Sequence, residues 1–321
     1  MRVLVCEFVT GGGLRREALS PSLAAEGALM RDTLVGDLED LPGIRVLTTH
    51  DDRLPPPLRG DSRPVAAGDD AGAIWAELAA GADLAWPIAP ETDGAMEAVV
   101  ARLRQRCRRV VASDEEALRI GASKQATAAR FAAAGVPVVP CWQPGAIPPH
   151  AAGPLVVKPD DGAGSLGIRL CPSREDAAAA GPGMVVQPHV AGAAESLTLL
   201  CQSGRAEVLG INRQHVTLAD GRFGFHGVTV GIRPPGEVEA GLAQAILAAL
   251  PGLHGLVGVD YLATPDGPVV VEVNPRLTTS YAGLRRSLGI NPLAFVADLV
   301  RDGVVPKLPH LPPPVPVEVL V

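Results

Sequence analysis

Val156-Val157-Lys158-Pro159-Asp160-Asp161-Gly162-Ala163-Gly164-Ser165-Leu166-Gly167 joins an apolar run that closes on a lysine to a glycine-rich loop. A cation followed by backbone free to turn suits phosphate oxygens, because lysine supplies a point charge and glycine lets N–H groups approach. Gly162, Gly164 and Gly167 also fit the G-x-G-x-x-G spacing of dinucleotide-binding folds. That spacing has to open a helix, whereas Ile168-Arg169-Leu170-Cys171 continues as a short strand ended by Pro172, which argues against a nicotinamide-dependent oxidoreductase. A P-loop is excluded as well, since the lysine precedes the glycines instead of following them into a helix. What fits is a strand, a glycine flap and a returning strand able to close over a triphosphate, with an ordinary hairpin as the alternative for this stretch alone.

The C-terminal third separates those two readings. Gly255-Leu256-Val257-Gly258-Val259-Asp260-Tyr261-Leu262 and Pro268-Val269-Val270-Val271-Glu272-Val273-Asn274 read as strands joined by Pro265-Asp266-Gly267. With those three residues as the loop and Gly267 in the left-handed position, Asp260 pairs with Glu272 and both side chains share a face. Asn274, two residues on, shares it too. Two carboxylates and an amide oxygen on rigid strands are hard ligands suited to Mg²⁺ held between protein and phosphate. The competing reading is a solvated polar sheet face.

Composition narrows the class. A chain of 321 residues that is 47% hydrophobic supports two or three lobes with real cores. With a net charge of -7 and basic residues dispersed except for Arg102 to Arg109, read as a solvated helix face, nucleic acid is not an expected partner. Cys6, Cys107, Cys141, Cys171 and Cys201 are odd in number and lack a C-x-x-C pair, which suggests neither disulfides nor a zinc site and fits a reducing cytoplasm. No apolar run reaches membrane-spanning length, and no signal core follows the start, so no membrane is expected. Self-association as a homodimer is compatible with all of this.

The N-terminal region, residues 1–112, alternates apolar runs at Val3 to Phe8, Arg45 to Thr48, Leu84 to Ile88 and Arg109 to Ala112 with helical patterns, which predicts an α/β lobe on a parallel sheet. Ligands of such sheets sit beyond the carboxyl ends of the strands, where Glu7, Pro90-Glu91 and Ser113 fall. Ser20-Pro21 starts the first helix, with Glu26 about a turn and a half in. Residues 113–190 hold a helix capped by Ser123 with Lys124 in its first turn, where a cation opposes the helix dipole unless it meets an anion. Residues 191–305 form a second α+β lobe, in which the planar fork of Arg213 suits a substrate carboxylate or an acyl phosphate. A proline-rich tail, 306–321, ends in a segment able to pair as an edge strand.

Ser123-Lys124, Val157-Lys158-Pro159 with its glycine loop, Val185-Val186-Gln187-Pro188-His189-Val190, Val259-Asp260-Tyr261 and Glu272-Val273-Asn274-Pro275-Arg276, taken in order, resemble the ATP-grasp superfamily of carboxylate–amine ligases. The resemblance implies an ATP-grasp fold: a Rossmann-like N-terminal lobe and two α+β lobes enclosing the nucleotide. It also implies ATP with one or two Mg²⁺, an acyl-phosphate intermediate, and small-molecule carboxylate and amine substrates. Lys124, Lys158, Gly162, Gly164, Ser165 and Gly167 would then hold phosphates, Gln187 and Val190 the adenine, and Glu195 the ribose. Asp260, Glu272 and Asn274 would hold the metal, and Arg276, with Arg213 and Lys158, would act on the transferring group. Gln187 departs from the glutamate often found at the hinge, which puts a side-chain contact to adenine in doubt. A non-catalytic nucleotide sensor would not need the full metal set.

Cys6-Glu7-Phe8-Val9-Thr10-Gly11-Gly12-Gly13, Glu26-Gly27-Ala28-Leu29-Met30 and Pro87-Ile88-Ala89-Pro90-Glu91-Thr92 further resemble the tyramine–glutamate ligases of methanofuran-type cofactor synthesis. That likeness implies Glu7, Glu26 and Glu91 as substrate residues, with other donor–acceptor pairs, as in dipeptide-forming ligases, as the alternative. With aromatics at 3% of the chain, contacts to tyramine would draw on few residues, Trp86, Tyr261 and Tyr281 among them.

Overall fold

Strand β1 (Arg2–Glu7) is apolar on both faces, as a strand covered by helices on each side requires. In the computed structural model, which describes residues 1–151, 153–162, 167–202, 204–304 and 307–321, it lies inside a four-stranded parallel sheet. Its neighbours are β2 (Arg45–Asp51), β3 (Asp61–Val65) and β4 (Leu84–Ile88), in the order β3-β2-β1-β4. Helices α1 (Pro21–Glu39), α2 (Ala71–Ala80) and α3 (Ala95–Arg104) accompany them. β3 escapes the sequence reading because Asp-Ser-Arg-Pro-Val is a polar, proline-bearing edge strand. The stretch Arg109 to Ala112, expected as a strand, contributes only a bridge between Ala85 and Val110.

Helices α4 (Glu115–Gly121) and α5 (Lys124–Ala133) lead into the second sheet. Ser123 caps α5 by accepting from the Ala126 N–H at 3.0 Å. The sheet contains β5 (Leu155–Pro159), β6 (Arg169–Cys171), β7 (Met184–Pro188), β8 (Ala193–Gln202), β9 (Arg205–Ala219), β10 (Arg222–Val230), β11 (Gly255–Thr264) and β12 (Gly267–Asn274). Their order is β12-β11-β8-β9-β10-β6-β5-β7, so the two α+β lobes share one curled sheet, joined where Arg222 pairs with Arg169. β13 (Val317–Leu320) straps the tail onto β10.

Helix α6 (Arg174–Ala178) covers the small end, and α7 (Glu237–Ala249) packs Leu242, Ile246 and Leu247 against Leu197, Ile211 and Val259 of the large end. On the other face α8 (Tyr281–Leu288) docks the N-terminal lobe, with the Tyr281 hydroxyl donating to Asp37 of α1 at 2.8 Å. Among the described residues no helix is long and apolar enough to cross a membrane.

Asp260 stands opposite Glu272 as expected, by another route. Thr264 pairs with Gly267, which leaves a two-residue turn at Pro265-Asp266, and Val271 is the extra residue of a bulge that restores the expected pairing at Asp260.

Candidate functional site

Between β5–β7 and the large end of the sheet lies a cavity of about 380 Å³ lined by Lys158, Gln187, Val190, Gln214, Asp260 and Glu272, with Val156, Ile168, Phe223 and Phe225 as apolar walls. Lys158, at the end of β5, is only 4% exposed, and burial pulls its ammonium below the usual lysine range. Lys124 reaches in from the first turn of α5. Its Nζ lies 3.3 Å from Glu272 Oε2 and donates to the Gly162 carbonyl at 2.7 Å.

The two facing carboxylates are unlike. Asp260 is pushed up to about 7 by burial and by the charge of Glu272, against a lowering hydrogen bond from Gln214. Burial acts to raise Glu272 as well, but Lys124 and Lys158 outweigh it and hold that carboxylate below its usual range. A half-buried pair of facing carboxylates that retains a proton suits a divalent cation, which would replace the proton and neutralise both groups. Asn274 joins Asp260, Glu272 and Arg276 around an adjoining cavity of about 90 Å³. Among the described residues no group of three or more His, Cys, Asp or Glu is gathered for a metal. Asp260, Glu272 and Asn274 bring two carboxylates and an amide to this end of the cavities, a set that would leave coordination positions of Mg²⁺ to phosphate oxygens and water.

At the hinge, Gln187 is 3% exposed and its Nε2 lies buried beside the Cys141 thiol without a hydrogen-bond partner of proper geometry. An amide side chain that lines an apolar slot and has an unpartnered N–H suits the polar edge of a base. Gly162 and Gly167 flank the glycine loop, Gly167 with a φ of 75°, while Gly164 and Ser165 lie outside the described residues.

Glu7, Glu26 and Arg276 meet at a small cavity of about 50 Å³ at the carboxyl end of β1 and β4. Glu7 accepts from the Val9 N–H at 2.9 Å and the Thr10 N–H at 2.6 Å, yet burial still lifts its carboxyl above the usual range. Gly27 lets it in, since a Cβ there would stand 2.8 Å from Glu7 Oε1. Glu26 accepts from the Thr279 hydroxyl. Glu91 grips Arg276 as a fork, Nε at 2.9 Å and Nη2 at 2.8 Å, while Nη1 donates to the Leu277 carbonyl at 3.2 Å.

Two expected residues are elsewhere. Glu195 pairs in register with Arg213, and its side chain turns to the α7 face, where it accepts from Tyr261 at 2.7 Å, Arg213 at 2.8 Å and Arg233 at 2.9 Å. Neither Glu195 nor Arg213 lines the cavity, because strand alternation sends residues 195 and 213 to the side opposite Asp260. The same alternation brings in Gln214, which sequence reasoning passed over for the charged neighbour. Trp86 and Tyr281 belong to the hydrophobic core, and Phe225 is instead the aromatic residue that lines both the larger cavity and the metal-side one.

A strand–loop–strand lysine site facing carboxylates across a two-ended sheet defines a nucleotide-grasping fold, and the chain belongs to the ATP-grasp family. The ATP-grasp domain model matches residues 121–280 and the pre-ATP-grasp domain model residues 44–118. The chain is 28% identical over 192 residues to 3-methyl-D-ornithine–L-lysine ligase of Methanosarcina mazei, covering 60% of this chain and 48% of that protein. It is 32% identical over 103 residues to tyramine–L-glutamate ligase of Methanocaldococcus jannaschii, covering 32% of each. The chain thus spans about half or less of the length of these relatives. Its fold is shared with an ATP-grasp superfamily protein from Archaeoglobus fulgidus, with a TM-score of 0.70 at 22% identity over 96% of this chain and 90% of that one. An L-amino acid ligase from Bacillus licheniformis matches with a TM-score of 0.65 at 15% identity over 94% and 74%.

Proposed function

We propose that the protein is an ATP-dependent, ADP-forming ligase that joins the carboxylate of an amino acid to an amine through an acyl phosphate. The observation that carries this reading is the half-buried Asp260–Glu272 pair, with Lys124 3.3 Å from Glu272 and Lys158 lining the same cavity as both carboxylates. Lys124 and Lys158 would hold phosphate oxygens, Gln187 and Val190 the base, and Gly162 and Gly167 the turns of the loop beside them. Asp260, Glu272 and Asn274 would hold Mg²⁺, which when bound neutralises charge on the transferring phosphoryl. The remaining N–H groups of Arg276, oriented by Glu91, would receive the oxygens of the carboxylate and of the phosphoryl that joins it.

In the first step a carboxylate oxygen forms a bond to the γ-phosphorus, the bridging bond to the β-phosphate breaks, and ADP leaves. In the second the amine nitrogen attacks the acyl carbon, phosphate leaves with the electron pair of the C–O bond, and the amine proton passes to solvent. Glu7 and Glu26, facing the small cavity beside Arg276, suit a substrate ammonium. Glutamate activated at its side chain and tyramine as acceptor are the pair favoured by the N-terminal motifs, with Phe225 and Val228 as apolar lining of the cavity beside Arg276. A pair of amino acids, as in the name of the Methanosarcina relative, is the second reading, favoured by the two acidic groups beside Arg276.

A mass-resolved screen of amino acids against amines with Mg²⁺ and ATP tests this. The expected result is one amide product with stoichiometric ADP and phosphate. Formation of AMP and pyrophosphate would overturn it.

A further inference from the structure

The segment 160–162, just before the glycine loop, is held from two sides. On one side Asp160 caps α5, accepting from the Gln125 N–H at 2.9 Å and the Ser123 hydroxyl at 2.7 Å, while Lys124 Nζ donates to the carbonyl of Gly162 at 2.7 Å. On the other side Asp161 turns toward the N-terminal lobe. Its Oδ2 accepts from the Asp93 N–H at 3.1 Å, and its carbonyl accepts from the Thr92 hydroxyl at 3.1 Å. Asp93 sits in the left-handed region, φ 54° and ψ 24°, a conformation that aspartate tolerates in tight turns. Glu91, two residues before Asp93, is the residue that forks onto Arg276.

One short path therefore runs from Lys124 and Gly162 through Asp161 to the 92–93 turn, and from there through Glu91 to Arg276. We infer that Asp161 is a positioning residue. By accepting from the 92–93 turn it ties the loop that carries Glu91, and through it the Arg276 guanidinium, to the segment that Lys124 holds beside the nucleotide cavity. A nucleotide that engages Lys124 then orders the loop bearing Glu91 before any carboxylate substrate arrives. The inference rests on the nucleotide reading of the cavity given above.

The test is hydrogen–deuterium exchange on the full chain with and without Mg²⁺ and the non-hydrolysable analogue AMP-PNP, alongside calorimetric Kd values. In the parent protein, nucleotide should slow exchange at residues 92–96 at least threefold. Asp161→Ala should bind the analogue within threefold of the parent yet lose that slowing, and Asp161→Asn, which keeps an oxygen for the Asp93 N–H, should retain it. Thr92→Val, altered from the other side of the joint, should lose part of it. Bound nucleotide with unchanged exchange at 92–96 in the parent, or equal slowing in Asp161→Ala, overturns the inference while leaving the nucleotide reading intact. Failure of the parent to bind the analogue overturns both, so the two failures are told apart.

Discussion

On the α7 face of the large sheet, Glu195 commits its oxygens to Tyr261, Arg213 and Arg233, and Arg233 goes on to Glu239, so that opposite charges close on one another. On the cavity face, one residue away along β11, Asp260 and Glu272 stand as like charges, one of them raised in pKa, beside two lysines. Both groups are built on carboxylates of the same sheet, and strand alternation puts them on opposite faces. The first arrangement is complete within the protein. The second would be more stable with a cation between its carboxylates and an anion against its lysines, and that incompleteness supports the proposed binding site.

The contrast breaks most sharply if Glu272 is replaced. Glu272→Gln keeps the shape but deletes the charge nearest Lys124, so kcat for substrate-dependent ADP formation should fall about 100-fold or more, with the thermal midpoint unchanged or raised. A near-normal kcat would make the cavity pair no more functional than the Glu195 cluster.

Glu195→Ala should do the reverse. It leaves Tyr261 and two arginines without their acceptor and should lower stability by about 2 kcal/mol in urea, less than for a fully buried pair because both arginines are part exposed. Nucleotide Kd should stay within about twofold, and a larger change would put the α7 face into the site.

pH sharpens the comparison further. Asp260 is raised, so below about 7 its carboxyl holds a proton that Mg²⁺ must displace, and above it the carboxylate is free. Mg²⁺ affinity in the presence of ADP should therefore rise roughly tenfold per pH unit up to that point and then level off, with about one proton released on binding at pH 6. Calorimetry in buffers of different ionisation enthalpy reads both. A pH-independent affinity would mean that the pair does not hold the metal. The smallest expected effect separates adjacent residues of β9: Gln214→Ala should weaken Mg²⁺–nucleotide binding about threefold, and Arg213→Ala should leave it unchanged.

Much of the layout of this candidate site is legible in the sequence because it is built on local register. Asp260, Glu272 and Asn274 follow from a hairpin, and Lys158 from a strand end. The pairing itself survives a wrong turn length only because the bulge at Val271 compensates, and a bulge leaves no clear mark in a run of valines. Glu195 and Arg213 lie off the cavity because strand parity, which their charge does not reveal, sends them to the α7 face. Gln214, an uncharged amide on the right parity, gives no signal until β9 is placed across β8 from β11. The Glu91–Arg276 fork joins residues 185 apart, and no spacing rule reaches that far. The β3 edge strand was hidden by its polarity, and the shared sheet by the single Arg222–Arg169 pairing that joins its halves.

The most direct measurement is calorimetric titration of ADP, with and without Mg²⁺, into the parent, Glu272→Gln and Glu195→Gln. The account expects Mg²⁺ to tighten ADP binding at least tenfold in the parent and in Glu195→Gln, and to have little effect in Glu272→Gln. Mg²⁺-independent binding in the parent, or loss of the Mg²⁺ effect in Glu195→Gln with its retention in Glu272→Gln, would contradict it.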